Sequence, residues 1–153
     1  RQHGEKLIPT VLRKCLEREP IPVYGTGENI RDWLYVDDHC DAIWHIVCHG
    51  AAGETYNVGG LNEWTNLALV RQLCRAVASA LDVDAAELEG LITFVTDRPG
   101  HDRRYAIDPT KLSALGWSPD RSLDNGLKLT VQWYLARWRS GSLGAHARIG
   151  LGR

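Results

Sequence analysis

The sequence contains no methionine and a single phenylalanine among its 153 residues. An arginine in first place, in a chain without methionine, reads as an excerpt of a longer polypeptide or as a trimmed product. No apolar run approaches the roughly 18 residues that would cross a bilayer, which excludes a helical membrane protein. Neither charge sign is in excess: 18 Lys and Arg stand against 19 Asp and Glu, for a formal net charge of -1. A dedicated nucleic-acid binder carries a basic surplus, so nucleic acid is not an expected partner. A hydrophobic fraction of 44% likewise excludes a disordered chain, which would be poor in apolar residues or strongly charged. The length suits one soluble domain with a modest core.

No C-x-x-C pair occurs. Cys15, Cys40, Cys48 and Cys74 each sit in an apolar helical pattern, which predicts buried free thiols in a reducing compartment. With no signal-peptide pattern, that compartment is expected to be the cytoplasm. His45 and His49 stand four apart on a helix, but no Glu lies between them and no third ligand follows. They read as solvated histidines at a helix end, and no metal site is expected.

Apolar periodicity and turn residues then order the chain. A helix is predicted over Pro9–Glu17, with Val11, Leu12, Cys15 and Leu16 inward and Pro9 in its first turn. Pro20 and Pro22 stop it before a strand at Val23–Tyr24, a turn at Gly25-Thr26-Gly27 and a strand over Arg31–Val36. Asp37 is predicted to cap a helix whose inward stripe is Cys40, Ile43, Trp44 and Val47, closed by Gly50. Thr55–Val58 reads as a strand. Thr65 or Asn66 caps the longest helix, with Leu67, Val70, Cys74, Val77 and Leu81 on one side. Strands follow at Ile92–Val95 and Tyr105–Ile107. Asp108 caps a short helix over Pro109–Leu115, and Ser122 starts a last helix with Leu127, Val131, Tyr134, Leu135 and Trp138 inward. Residues 1–140 form the structured unit, and 141–153 read as a disordered tail.

Several segments resemble one family in a single register from about Gly4 to Tyr134. They are Glu5-Lys6-Leu7-Ile8-Pro9, Pro22-Val23-Tyr24-Gly25-Thr26-Gly27 and Ile30-Arg31-Asp32-Trp33-Leu34-Tyr35-Val36-Asp37-Asp38-His39. Gly53 to Gly60, Asn62-Glu63 and Asp97-Arg98-Pro99-Gly100-His101-Asp102-Arg103-Arg104-Tyr105-Ala106-Ile107-Asp108 continue them. This pattern resembles the carboxyl-terminal half of the dTDP-glucose 4,6-dehydratases, extended short-chain dehydrogenase/reductases of the epimerase/dehydratase superfamily.

The resemblance implies an α/β, Rossmann-type fold. This chain would cover mainly the smaller α+β substrate-binding domain, plus late elements that return to the Rossmann domain. It implies a lyase that oxidises C4 of the glucose, eliminates water across C5–C6 and returns the hydride to C6. NAD would be bound by the amino-terminal half, which also carries a Tyr-x-x-x-Lys pair, a Thr-Asp-Glu triplet and a glycine-rich loop. None of the five tyrosines here has lysine four positions on, no Thr-Asp-Glu occurs, and Ile30 stands where a third glycine would follow Gly25-x-Gly27. Catalytic and cofactor-binding residues are therefore not expected in this chain. The homodimer implied for the full enzyme is built on the amino-terminal portion and does not transfer.

For the substrate, dTDP-glucose, the resemblance implies contacts from Lys6, Leu7, Pro22, Val23, Tyr24, Arg31, Asn66, Asp97, Arg98, Pro99, Gly100 and His101. The residues alone leave alternatives open. Arg31 can fork onto phosphate oxygens or pair with Glu28 or Asp32. Lys6 is a point charge or a solvated helix-start lysine, and Pro22-Val23-Tyr24 is an apolar edge or plain strand packing. Asn66 offers a ligand both donor and acceptor, or caps its helix. The 97–101 loop presents backbone N–H groups and His101 to an anion, or is simply solvated. Arg103 and Arg104 serve ion pairs or ligand equally well. Two other readings remain: a portion of another nucleotide-sugar epimerase or decarboxylase, and a non-catalytic nucleotide-sugar-binding module. A portion of an enzyme predicts an exposed apolar face, whereas a module predicts a self-contained fold.

Overall fold

A computed structural model describes residues 2–141. Apart from Gly141, the expected tail lies outside the described residues.

Three long helices build the main core. In α1 (Leu7–Glu17) the spacing of Val11, Leu12 and Cys15 turns one face inward, and each is at most 1% exposed. Arg18 then takes a left-handed conformation (φ 56°), and the Arg18 and Glu19 N–H groups close the helix onto Cys15 and Lys14 carbonyls. Thr65 caps α3 (Asn66–Leu81) by accepting from Ala68 N at 3.2 Å, and Ser122 caps α6 (Leu123–Arg139) by accepting from Asn125 N at 3.3 Å. Leu69, Val70, Leu73, Cys74 and Val77 of α3 meet α1 on one side and Leu127, Val131 and Leu135 of α6 on the other. The Cys15 and Cys74 thiols lie 3.9 Å apart in this core. Contact with Cys15 and burial together push the Cys74 thiol well above the usual thiol range.

The strands form two small sheets. β1 (Ile21–Tyr24) runs parallel to β4 (Ile92–Val95), pairing Ile21 with Ile92 and Tyr24 with Val95. β2 (Ile30–Asp32) lies between antiparallel β3 (Glu63–Thr65) and parallel β5 (Arg104–Tyr105). Short helices α4 (Ala85–Glu89) and α5 (Thr110–Ser113) flank them. Leu88 of α4 closes the main core beside Cys74, and Leu112 of α5 joins Ala42 and Trp117 in a second, smaller core.

Several expectations are corrected. The strand at Arg31 ends at Asp32 rather than Val36, because the Asp32 carboxylate accepts from Gly60 N at 2.7 Å and Asn62 N at 2.8 Å and turns the chain. Helix α2 (Val36–His49) begins at once, so Tyr35, not Asp37, occupies the cap position, with no side-chain bond. Its stripe is inverted: Cys40, Ile43, Trp44 and Val47 are exposed, while Asp38 and Ala42 are buried. Asp38 is turned inward by Arg121, whose Nη1 reaches its Oδ1 at 2.6 Å, and Ala42 by Leu112 and Trp117.

Cys40 and Cys48 are therefore exposed, and only Cys15 and Cys74 are buried. His45 is half-buried with Nε2 2.9 Å from the Leu115 carbonyl, rather than solvated. Residues 55–58 form no strand, since Lys111 Nζ takes the Thr55 carbonyl at 2.9 Å and Asn57 Nδ2 takes that of Asp108 at 3.2 Å. The strand expected at Tyr105–Ile107 is Arg104–Tyr105, and the helix expected over Pro109–Leu115 is Thr110–Ser113. Trp138 is exposed, and α6, with 17 residues, exceeds α3, with 16. β3 and α4 were not anticipated; both are too short to carry a period.

Candidate functional site

Parallel pairing of β2 with β5 sets Arg31 directly opposite Tyr105. The Arg31 guanidinium carbon lies 4.1 Å from the centre of the Tyr105 ring, a cation–π contact. Arg31 Nη1 donates to its neighbour's Ile30 carbonyl at 2.6 Å, and Nη2 donates to the Asp102 carbonyl at 3.1 Å. Nη2 also lies 3.1 Å from His101 Nε2. A guanidinium only donates, so Nε2 accepts and the imidazole proton sits on Nδ1. Nδ1 donates in turn to Asp97 Oδ1 at 2.7 Å. The His101 side chain is 10% exposed, so the chain Arg31–His101–Asp97 is largely shielded from water at its centre.

Local backbone geometry brings these groups together. Gly25 N donates to the Val95 carbonyl at 2.9 Å, carrying the β1–β4 pairing one residue beyond Tyr24. Gly25 and Gly27 take positive φ, 56° and 75°. A side chain on Gly27 would come within 2.8 Å of Val23 and Leu67, so only glycine fits this close approach. Asp97 packs against Gly25, and Tyr24 stands edge-on to His101 with ring centres 6.4 Å apart.

The electrostatics follow from these contacts. The hydrogen bond from His101, with that from Arg98 N and the nearby positive charge, holds the Asp97 carboxyl below the usual range. Tyr105 Oη donates to Asp102 Oδ2, and this bond together with the carboxylate's charge pushes the phenol above its usual value. Among the described residues no carboxylate pairs with Arg31; its contacts are two carbonyls, a neutral imidazole and an aromatic face. A fixed guanidinium without a counter-ion is equipped to take an anion.

Of the residues expected to meet substrate, Tyr24, Arg31, Asp97 and His101 converge here. Arg98, Pro99 and Gly100 form the exposed turn joining Asp97 to His101, with Gly100 at φ 72°. Val23 goes to the core at 2% exposure, because strand alternation turns Ile21 and Val23 inward. Pro22 is half-buried, and Leu7 packs at the edge of the main core. Lys6 flanks α1 and lies 3.6 Å from Glu5. Asn66 opens α3, its N–H donating to the Asn29 carbonyl at 2.9 Å. Arg104 makes a bidentate pair with Glu63, both contacts 2.6 Å, and so ties β5 to β3.

Tyr105 and Asp102 were missed as site residues. Tyr105 has only a strand signal in the sequence, and its place under Arg31 depends on a sheet register spanning some 70 positions. Gly25-Thr26-Gly27 leads from β1 to β2 instead of opening a helix. The described residues hold no cluster of three metal-ligating side chains, and no described helix is long and apolar enough to cross a membrane.

The family model described as GDP-mannose 4,6 dehydratase matches residues 1–130, and the chain belongs to that family. Its mixed α/β fold is that of the Rossmann-type extended short-chain dehydrogenase/reductases. The particular relatives are dTDP-glucose 4,6-dehydratases. The enzyme of that name from Neisseria gonorrhoeae is 50% identical over 139 residues, covering 88% of this chain and 40% of the relative. The solved structure of dTDP-glucose 4,6-dehydratase from Bacillus anthracis, in complex with NAD, is 42% identical with a TM-score of 0.77, over 90% of this chain and 42% of that one. A UDP-glucose 4-epimerase from Thermotoga maritima, solved with UDP-glucose, is 28% identical with a TM-score of 0.71, over 87% of this chain and 40% of that one. The chain thus spans about two fifths of the length of these relatives.

Proposed function

We propose that residues 1–140 are the nucleotide-sugar-binding portion of a dTDP-glucose 4,6-dehydratase. The observation that carries this reading is the Arg31 guanidinium, half-buried, fixed by neutral partners and, among the described residues, without a carboxylate of its own. A diphosphate linking nucleoside to sugar supplies the missing negative charge. Tyr24 and the 97–101 loop border the same corner, and Lys6, Leu7, Pro22 and Asn66 extend the proposed contact surface. The dTDP nucleotide is favoured over UDP because identity is 50% and 42% with the named dTDP-glucose dehydratases but 28% with the epimerase.

In the complete enzyme the substrate would be converted to a 4-keto-6-deoxy sugar with loss of water. This chain's part in that reaction is binding and orientation. NAD supplies hydride transfer when bound, but the residues here do not fit it, and no step of that chemistry is assigned to them. The exposed free thiols of Cys40 and Cys48 support a reducing, cytoplasmic setting.

Calorimetric titration with dTDP tests the reading. Wild-type chain should bind, and Arg31→Ala should weaken binding by about 10- to 100-fold, the worth of a charge-assisted hydrogen-bond pair. Equal titration curves for the two proteins would overturn the assignment. Tighter binding of UDP or GDP than of dTDP would redirect it to another nucleotide sugar.

A further inference from the structure

Two thiols that the proposed function leaves unused face each other in the main core. Cys15 sits in the last turn of α1 and Cys74 in the middle of α3, 59 positions on, with their sulfurs 3.9 Å apart and both residues 0% exposed. The cluster around them is apolar, with Val11, Leu12, Leu73, Val77 and Leu88 among its members. The two sulfurs are not equivalent. Cys15 is less than one turn from the left-handed Arg18 that ends α1, where a helix opens most readily, whereas Cys74 has turns of α3 on both sides. The Cys74 S–H favours the Cys15 thiolate against the penalty of burial, and the charge of Arg18 adds to this, while Cys74 itself is held protonated.

We propose that Cys15 and Cys74 are an oxidisable dithiol, which a hydroperoxide converts into an internal disulfide that locks α1 onto α3. Cys15 reacts first. Its thiolate attacks a peroxide oxygen, the S–O bond forms as the O–O bond breaks, and the leaving hydroxide takes up the thiol proton as water. The Cys74 sulfur then attacks the Cys15 sulfur, the S–S bond forms as the S–O bond breaks, and hydroxide leaves with the Cys74 proton as a second water. The two thiols together lose two electrons, and one hydrogen peroxide is reduced to two waters. The second step is favoured twice over. The fold already holds the sulfurs in contact, so no encounter is needed. A sulfenic hydroxyl in this apolar cluster is a buried polar group short of partners, and condensation removes it. A small thiol reductant reverses the crosslink by exchange.

Replacing the exposed thiols, in the full chain carrying Cys40→Ser and Cys48→Ser, leaves the core pair as the only cysteines. Hydrogen peroxide is added to this protein without denaturant, and its peptides are mapped by mass spectrometry before and after treatment with dithiothreitol. The Cys15 and Cys74 peptides should be found joined, in a chain lighter by two hydrogen atoms, and should separate again on reduction. The oxidised chain should unfold at a higher urea midpoint than the reduced one, because the crosslink constrains a long loop of the unfolded chain. Adding Cys74→Ala should let dimedone trap Cys15 as its sulfenic acid, whereas Cys15→Ala should leave Cys74 unmodified. The crosslink map needs no substitution in the core and stands even where these two variants fail to fold.

Crosslinking that occurs only once urea is added overturns the proposal, since the folded core would then keep its thiols from reacting. Cys15 driven to the sulfinic acid beside a free Cys74 overturns it as well. A crosslink that leaves the urea midpoint unchanged, or lowers it, contradicts the locking of α1 onto α3.

Discussion

Arg31 and His101 show how single side chains set the character of the corner. Arg31 stays unneutralised because its partners are a ring and carbonyls, while Asp97 is occupied with the far nitrogen of the imidazole. That arrangement has a pH signature. The Asp97 carboxyl is depressed in the folded state, first by the His101 hydrogen bond, so its stabilising contribution is complete above the ordinary Asp value of about 3.9. The contribution is lost as pH falls through the depressed value. Asp97→Asn should therefore show a flatter acid limb than wild type when urea midpoints are followed below about pH 4. Parallel acid limbs would place the titrating contribution elsewhere. Gly27 is the second residue-scale constraint. Gly27→Ala combines a left-handed backbone with contacts inside 2.8 Å to Val23 and Leu67. It should cost about 2–4 kcal/mol of stability in chemical denaturation.

Elements differ in how plainly the sequence announces them, and the reason is physical. α1, α3 and α6 were legible because their buried residues recur at helical spacing and their termini carry Thr65, Ser122 or flanking prolines. Leu73, fully buried where α3 meets its neighbours, measures that packing: Leu73→Ala should cost about 2–5 kcal/mol, read from the shift of the denaturation midpoint. The periodicity of α2 was equally legible but its orientation was not. Its apolar stripe is the stronger one by composition, yet the buried side is chosen by the Asp38–Arg121 pair and the small Ala42, contacts over 80 positions apart in the first case. The short strands β2 and β5 depend on side-chain latches such as Asp32 to Gly60 and Asn62, and no local pattern encodes these. The candidate site was half legible: the motif residues Arg31, Asp97 and His101 stood out, whereas Tyr105 acquires its role only through register.

At the scale of the whole molecule, two features belong together. A cationic corner is assembled from β2 and the 97–105 segment, and an apolar helix face on α2 is left open. The chain that carries them belongs to the 4,6-dehydratase family and spans about two fifths of the length of its relatives. Under the function proposed above, the corner around Arg31 takes the diphosphate of a nucleotide sugar. The most direct measurement is a titration of the chain with dTDP, following the side-chain Nε–H resonance of Arg31 by NMR. The account predicts a saturable shift at Arg31, with His101 and Tyr105 resonances moving at the same dTDP concentration. Saturable binding that leaves Arg31 unchanged while other arginines respond would contradict it.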